Sequence, residues 1–314
     1  MRLPTKDPSF PYNDLSHRTQ SQFKPYISLS QSIVRQLLRI FPSAFKPLLY
    51  TVLARASSSF GKSPYRHIFR LPFNLVLKTS VRSRLVEADA LRFVGSLNSI
   101  NAPMLIDSTS TPQITYILST WVDGDCCSEV WEQLTSLDKD KVVEDLRSQF
   151  DALRLQTASH DHVICNASGD AIEDPRIPWL DDDPRVFTSY SKFMEQVWLG
   201  LNFPRNRDTL YPLLKPFVER DDVPVVFSHG DLLPKNLILP GGLEQWRRDH
   251  RPLCIVDWEH AGWMPLSWEA LKATWLLCDP EEDWYKMVAE VFPESRTELE
   301  MDWQWRARSG IPIV

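Results

Sequence analysis

Residues 227–239 read FSHGDLLPKNLIL, and residues 254–263 read CIVDWEHAGW. In the first stretch His229-Gly230-Asp231 precedes Asn236 by five positions from the Asp, and an apolar, strand-like run follows. In the second, another apolar run ends on Asp257. Asp and Asn are common turn residues, so turn punctuation between two hairpin strands is one reading. The other is chemical. Two carboxylates and a carboxamide within thirty residues are hard oxygen donors of the kind a divalent cation takes, with one carboxylate left over to handle a proton.

The rest of the chain bounds the choice. Its 314 residues suffice for two lobes with cores of their own. Hydrophobic content of 43% and charged content of 24% are those of a globular protein. The formal net charge of −6 is unevenly spread. Residues 1–86 hold 14 Lys and Arg against Asp7 and Asp14, whereas the remainder holds 21 basic and 39 acidic residues. Such asymmetry suits polyphosphate or an acidic surface in the first part, and a cationic or metal-bound ligand in the second. The five cysteines are odd in number and include no C-x-x-C pair, which argues against a disulfide framework or a zinc site and for reduced thiols in the cytoplasm. The N-terminus has no apolar core of a secretory signal. Residues 33–53 are the most apolar region, but Arg35, Arg39, Lys46, Pro42 and Pro47 interrupt them. Two short amphipathic helices packed on a lobe are expected there rather than a membrane span, with contact to an acidic membrane as the weaker alternative.

Element by element, residues 1–30 read as a polar extension. Short strands are expected at HIFRLP and NLVLKTS around a turn at Pro72-Phe73-Asn74, and a helix over RLVEADALRFVGSL. ITYILSTWV (114–122) reads as a buried strand. Residues 138–156 form an amphipathic helix with a stripe of Val142, Val143, Leu146, Phe150 and Leu153. Residues 165–186 read as loop and 187–218 as helix; a strand pair lies around 237–256, and a Trp-rich helical tail occupies 266–308. This order predicts an α+β chain, with a small β-rich lobe followed by a larger helical one.

At HGDLLPKN and IVDWE the sequence resembles the phosphotransferases of the aminoglycoside phosphotransferase and choline kinase type, most closely a fungal branch of that family. The resemblance runs from about residue 65 to the end and implies a bilobal protein-kinase-like fold. The implied division is an N-terminal extension with amphipathic helices (1–56), a nucleotide-binding lobe with its hinge (57–122) and a catalytic, substrate-binding lobe (123–314). The implied activity is ATP- and Mg²⁺-dependent transfer of a phosphoryl group to a hydroxyl of a small molecule, with secondary metabolism one setting it would suit. A nucleotide-binding pseudokinase without turnover is the alternative. No nucleic-acid partner is implied.

The resemblance also assigns roles. Asp231 would accept the hydrogen bond of the incoming hydroxyl, with His229 bracing its loop, and Asn236 and Asp257 would hold Mg²⁺. Lys78, at the end of NLVLK, would grip phosphate, and Glu87, nine residues on, would hold the lysine; Asp89 is the competing acid. The main chain of Thr120, Trp121 and Val122 would hold the base. Protein kinases carry D-F-G where this chain has Asp257-Trp258-Glu259, and Glu259 could position substrate or merely cap a helix. No G-x-G-x-x-G loop is present, which leaves Ser57, Ser58, Ser59 and Gly61 as the candidate phosphate cover. The acceptor pocket is expected from 187–218 and 259–308, where the faces of Trp198, Trp263, Trp268, Trp275 and Trp284 could hold a quaternary ammonium or a flat ring, or else form core.

Overall fold

The computed structural model describes residues 27–57, 67–81, 85–159, 163–177, 185–198, 204–220, 222–249 and 251–309. The chain is α+β, as its order of periodicities predicts. It divides into two units, and each is made of separate stretches of sequence. One joins 21–131 to 234–259; the other joins 132–233 to 260–314. Residues 234–259, expected in the second lobe, therefore pack with the first half of the chain.

The first unit opens with helices α1 (Leu29–Ile40) and α2 (Lys46–Ala56). Ser28 caps α1 in a reciprocal capping box with Gln31. Strands β1 (Ile68–Leu71) and β2 (Leu75–Ser80) follow, then α3 (Val86–Val94), β3 (Leu105–Ser110) and β4 (Thr115–Thr120). The four strands form one antiparallel sheet in the order β1-β2-β4-β3. Phe73 and Asn74 turn the β1–β2 hairpin, both with positive φ. The Gln31 side chain donates to both of their carbonyls at 3.0 Å, which ties α1 to the hairpin tip. The inner faces of both helices close the core: Leu38 and Tyr50 pack with Leu71, Leu75, Leu77, Ile106, Tyr116 and Leu118. Lys46 adds an ion pair to Asp107 on β3 at 2.7 Å, and the Tyr50 hydroxyl donates to the other oxygen of that carboxylate.

A second, three-stranded sheet completes this unit. Strand β5 (Gly124–Cys126) pairs with β8 (Leu237–Pro240), which pairs with β9 (Cys254–Ile255), and helix α8 (Leu243–Asp249) links the last two. A one-turn 3₁₀ helix, Pro234–Asn236, enters β8, and a second, Trp258–His260, follows β9.

The other unit is mainly helical. Helix α4 (Ser136–Thr157) buries Val142, Leu146, Phe150 and Leu153, four of the five residues of its expected stripe. Strand β6 (Cys165–Asn166), helices α5 (Tyr190–Val197), α6 (Pro204–Arg207) and α7 (Tyr211–Val218), and strand β7 (Val225–Ser228) come next. Strand β10 (Gly262–Pro265) then pairs with both β6 and β7, and helices α9 (Trp268–Thr274), α10 (Asp283–Val291) and α11 (Arg296–Ser309) end the chain. The sequence reading placed β6 in a loop and left β3, β5, β7 and β10 unassigned. Of these, β5 and β6 are only three and two residues long, too short for a period to show.

Candidate active site

In the first unit the site is built around Lys78. Its Nζ lies 2.8 Å from Glu87 Oε2, contacts Asp257 Oδ1 and stands 4.0 Å from Glu259 Oε2. The fold explains the convergence. Lys78 sits within β2, bordered by β1 and β4, and α3 turns Glu87 inward with Ala88, Leu91 and Val94. Asp89, the competing acid, instead pairs with Arg92 on the outer side of α3.

Three carboxylates thus face one ammonium. Burial works against the charge on Lys78, but Glu87, Asp257 and Glu259 more than offset it and hold its pKa above the usual 10.5. Burial pushes the Glu87 carboxyl up from 4.5, Lys78 pulls it down, and the other two acids push it up again.

Asp257 has φ +67°. That left-handed conformation is rare outside glycine, although Asp tolerates it better than most residues. It follows directly on β9, where the chain must leave the sheet to begin the Trp258–His260 turn. The Trp258 indole, fully buried, donates to the Ile255 carbonyl at 2.8 Å and pins that turn. Leu237 pairs with Ile255, and the Val256 amide donates to the Asn236 carbonyl at 2.9 Å. The β8–β9 register therefore sets the buried Asn236 across the strand pair from the residue before Asp257. Asn236, just before β8, and Asp257, just after β9, carry hard oxygen donors of the kind Mg²⁺ takes.

The expected base-binding segment follows β4. The Thr120 amide donates to the Met104 carbonyl at 3.0 Å, and its hydroxyl accepts from the Met104 amide. The Trp121 amide donates to Asn74 at 2.8 Å. Both N–H groups are thus committed within the unit, which narrows the candidate donors of this segment to Val122. The Trp121 ring is half-buried beneath Arg70, whose guanidinium carbon lies 5.0 Å from the ring centre. Ser57 is buried, and its hydroxyl donates to the Ala54 carbonyl at the end of α2, a helix-terminating role. Ser58, Ser59 and Gly61 lie outside the described residues.

In the second unit the His-Gly-Asp turn follows β7. The amides of His229 and Gly230 both donate to the buried carboxyl of Glu269 on α9, at 2.6 Å and 3.2 Å. Burial pushes Glu269 up from 4.5, while His229, the two amide bonds and Arg154 pull against it. Gly230 has φ +79°, and a Cβ there would run into the His260 carbonyl oxygen, so both conformation and space require glycine. His229 is fully buried and its Nδ1 accepts the Asp231 amide at 3.2 Å. The histidine therefore fixes the backbone that presents Asp231, whose side chain is half-buried.

Glu269, which holds the His-Gly-Asp turn, is the residue of this candidate site that the sequence reading missed. Its signal is an acid within SWEALKATW, a helix whose every residue is buried. The tryptophans, read as ligand faces or else core, are mostly core. Trp198, Trp268, Trp275 and Trp284 are buried, and the indoles of Trp198 and Trp284 donate to Asp302 and to the Ala273 carbonyl. Trp263 is half-buried, edge-on to Phe227.

Neither a protein-family model nor a curated protein sequence matches the chain. Solved structures similar to it include a protein named as a fructosamine-3-kinase from Haemophilus somnus, at 16% identity and a TM-score of 0.48, covering 83% of this chain and 90% of that one. An aminoglycoside-3'-phosphotransferase of type VIII is similar at 15% identity and a TM-score of 0.45, over 78% of this chain and 89% of that one. An aminoglycoside phosphotransferase from Streptomyces rimosus, in complex with ADP and streptomycin, is similar at 16% identity and a TM-score of 0.43, over 81% and 97%.

Proposed function

We propose that this chain is an ATP- and Mg²⁺-dependent phosphotransferase that acts on a hydroxyl of a small molecule. The observation that carries the reading is the Lys78 cluster: an ammonium tethered by Glu87 and touched by Asp257, with Glu259 at its edge. A lysine held this way keeps its charge at every physiological pH and presents it as a fixed donor to phosphate oxygens.

In this reading Lys78 orients the α- and β-phosphates, and Val122 offers its main chain to the base. Mg²⁺, held by Asn236 and Asp257, would neutralise charge on the β- and γ-phosphates. Asp231 accepts the hydrogen bond of the acceptor hydroxyl and aims its oxygen at the γ-phosphorus. The new O–P bond forms as the bond from phosphorus to the ADP oxygen breaks, and the hydroxyl proton passes to the Asp231 carboxylate. Positioning and electrostatics do most of this work, because the transition state is loose and asks little of a base. Reduced thiols and a requirement for ATP suit the cytoplasm; none of the five cysteines forms a disulfide.

The test is ADP formation by purified protein with Mg²⁺-ATP over a panel of hydroxylated metabolites. Acceptor-dependent turnover that Asp257→Asn abolishes is expected. Nucleotide binding without turnover on any acceptor would replace this reading with a nucleotide-binding module.

A further inference from the structure

Helices α1 and α2 pack on the first unit through one face only. Val34, Leu38, Leu49, Tyr50 and Leu53 close the core beneath them. The opposite face is also apolar. Leu29, Ile33, Leu37 and Ile40 recur along the outer side of α1, and Leu29 and Ile40 are 76% and 81% exposed. Phe41 and Phe45 stand out from the connection, and Leu48 and Val52 continue the surface along α2. Exposed apolar side chains recurring along both helices and their connection call for an occupant.

Charge identifies it. No Asp or Glu occurs between Asp14 and Glu87. Lys46 is already committed to Asp107, whereas Arg39 and Arg55 are exposed on the same two helices as the apolar residues. Apolar side chains flanked by arginine, on a stretch without a carboxylate, complement an anionic lipid surface. A second copy of the chain would set this basic face against itself. Crossing a membrane is not the geometry offered. No single helix among the described residues is long and apolar enough, and α1 and α2 meet at a bend of 109° with their inner faces held by the sheet.

We propose that the outer face of α1 and α2 lies on an anionic bilayer, with Phe41, Phe45 and Leu48 entering the acyl boundary and Arg39 and Arg55 at the headgroups. The sequence favoured packing on the lobe over this contact; the structure shows that packing uses only half of each helix. The test is flotation of the full chain with vesicles of phosphatidylcholine alone or with added phosphatidylserine. Binding only to the anionic vesicles is expected, weakening with salt. Phe45→Ser with Leu48→Ser should reduce it roughly ten-fold or more, and Arg39→Ala about five-fold. All three positions are exposed, so the variants should keep the wild-type melting temperature. Absence of flotation, equal binding to neutral vesicles, or a lipid-free dimer that the serine variants dissociate would overturn the proposal.

Discussion

Lys78 Nζ and Glu87 Oε2 lie 2.8 Å apart, and the same ammonium also contacts Asp257, so a strand, a helix and the turn after β9 are joined at one charge. Glu87→Ala removes the tether but leaves the lysine. Turnover on an identified acceptor should fall roughly 10²-fold, the scale set by a misplacement of about 1 Å. Steady-state kinetics decide it; an unchanged kcat would show that Asp257 alone positions Lys78.

The pH dependence of the cluster has a definite sign. The folded pKa of Lys78 lies above its ordinary 10.5. Stability from the charged amine is therefore fully present below 10.5 and is lost as pH rises through the higher folded value. The gap in melting temperature between wild type and Lys78→Met should stay level from neutral pH to near 10.5, then close. A gap that closes below pH 9, roughly, would contradict the assignment.

Asp257 combines a proposed ligand with a left-handed backbone. Asp257→Asn keeps a short polar side chain that tolerates positive φ, so stability should change by less than about 0.5 kcal/mol while Mg²⁺-dependent turnover disappears. Asp257→Ala should lose turnover and also about 1 kcal/mol of stability. Denaturant melts read beside activity separate the two effects.

Asp231→Asn retains size and shape but loses the charge that orients the hydroxyl. Its kcat should drop by roughly 10²-fold or more, with nucleotide Kd nearly unchanged, as for an interaction made mainly in the transition state. Near wild-type turnover would reduce His-Gly-Asp to a structural turn.

The turn itself can be tested without a substrate. Glu269→Ala strips the acceptor from the His229 and Gly230 amides and should cost about 2–3 kcal/mol. Gly230→Ala adds a side chain at φ +79° against the His260 carbonyl and should cost at least about 2 kcal/mol. Urea unfolding measures both.

What the sequence placed near each other along the chain is what the structure brings into contact: the Lys78-to-Glu87 spacing crosses a single strand–helix connection and ends in an ion pair. Helix α4 announced itself through the periodic stripe within residues 138–156 and runs over twenty-two residues. Strand β3, LIDSTS, carries too few apolar residues to read as a strand, since Asp107 is neutralised by Lys46 and Tyr50 from far upstream. Glu269 was invisible because its partners are backbone amides forty residues away. The outer apolar residues of α1 and α2 misled in another way: their periodicity alone did not tell which apolar side faces the sheet.

Strands β8 and β9 belong to the unit whose other strands precede residue 131. During synthesis, β5 therefore waits for a partner until more than a hundred further residues have been made, and the first unit is complete only when residue 259 has emerged. A fragment ending near residue 131 would expose an unpaired strand edge and lack Asn236, Asp257 and Glu259. Such a fragment is expected to aggregate rather than bind nucleotide.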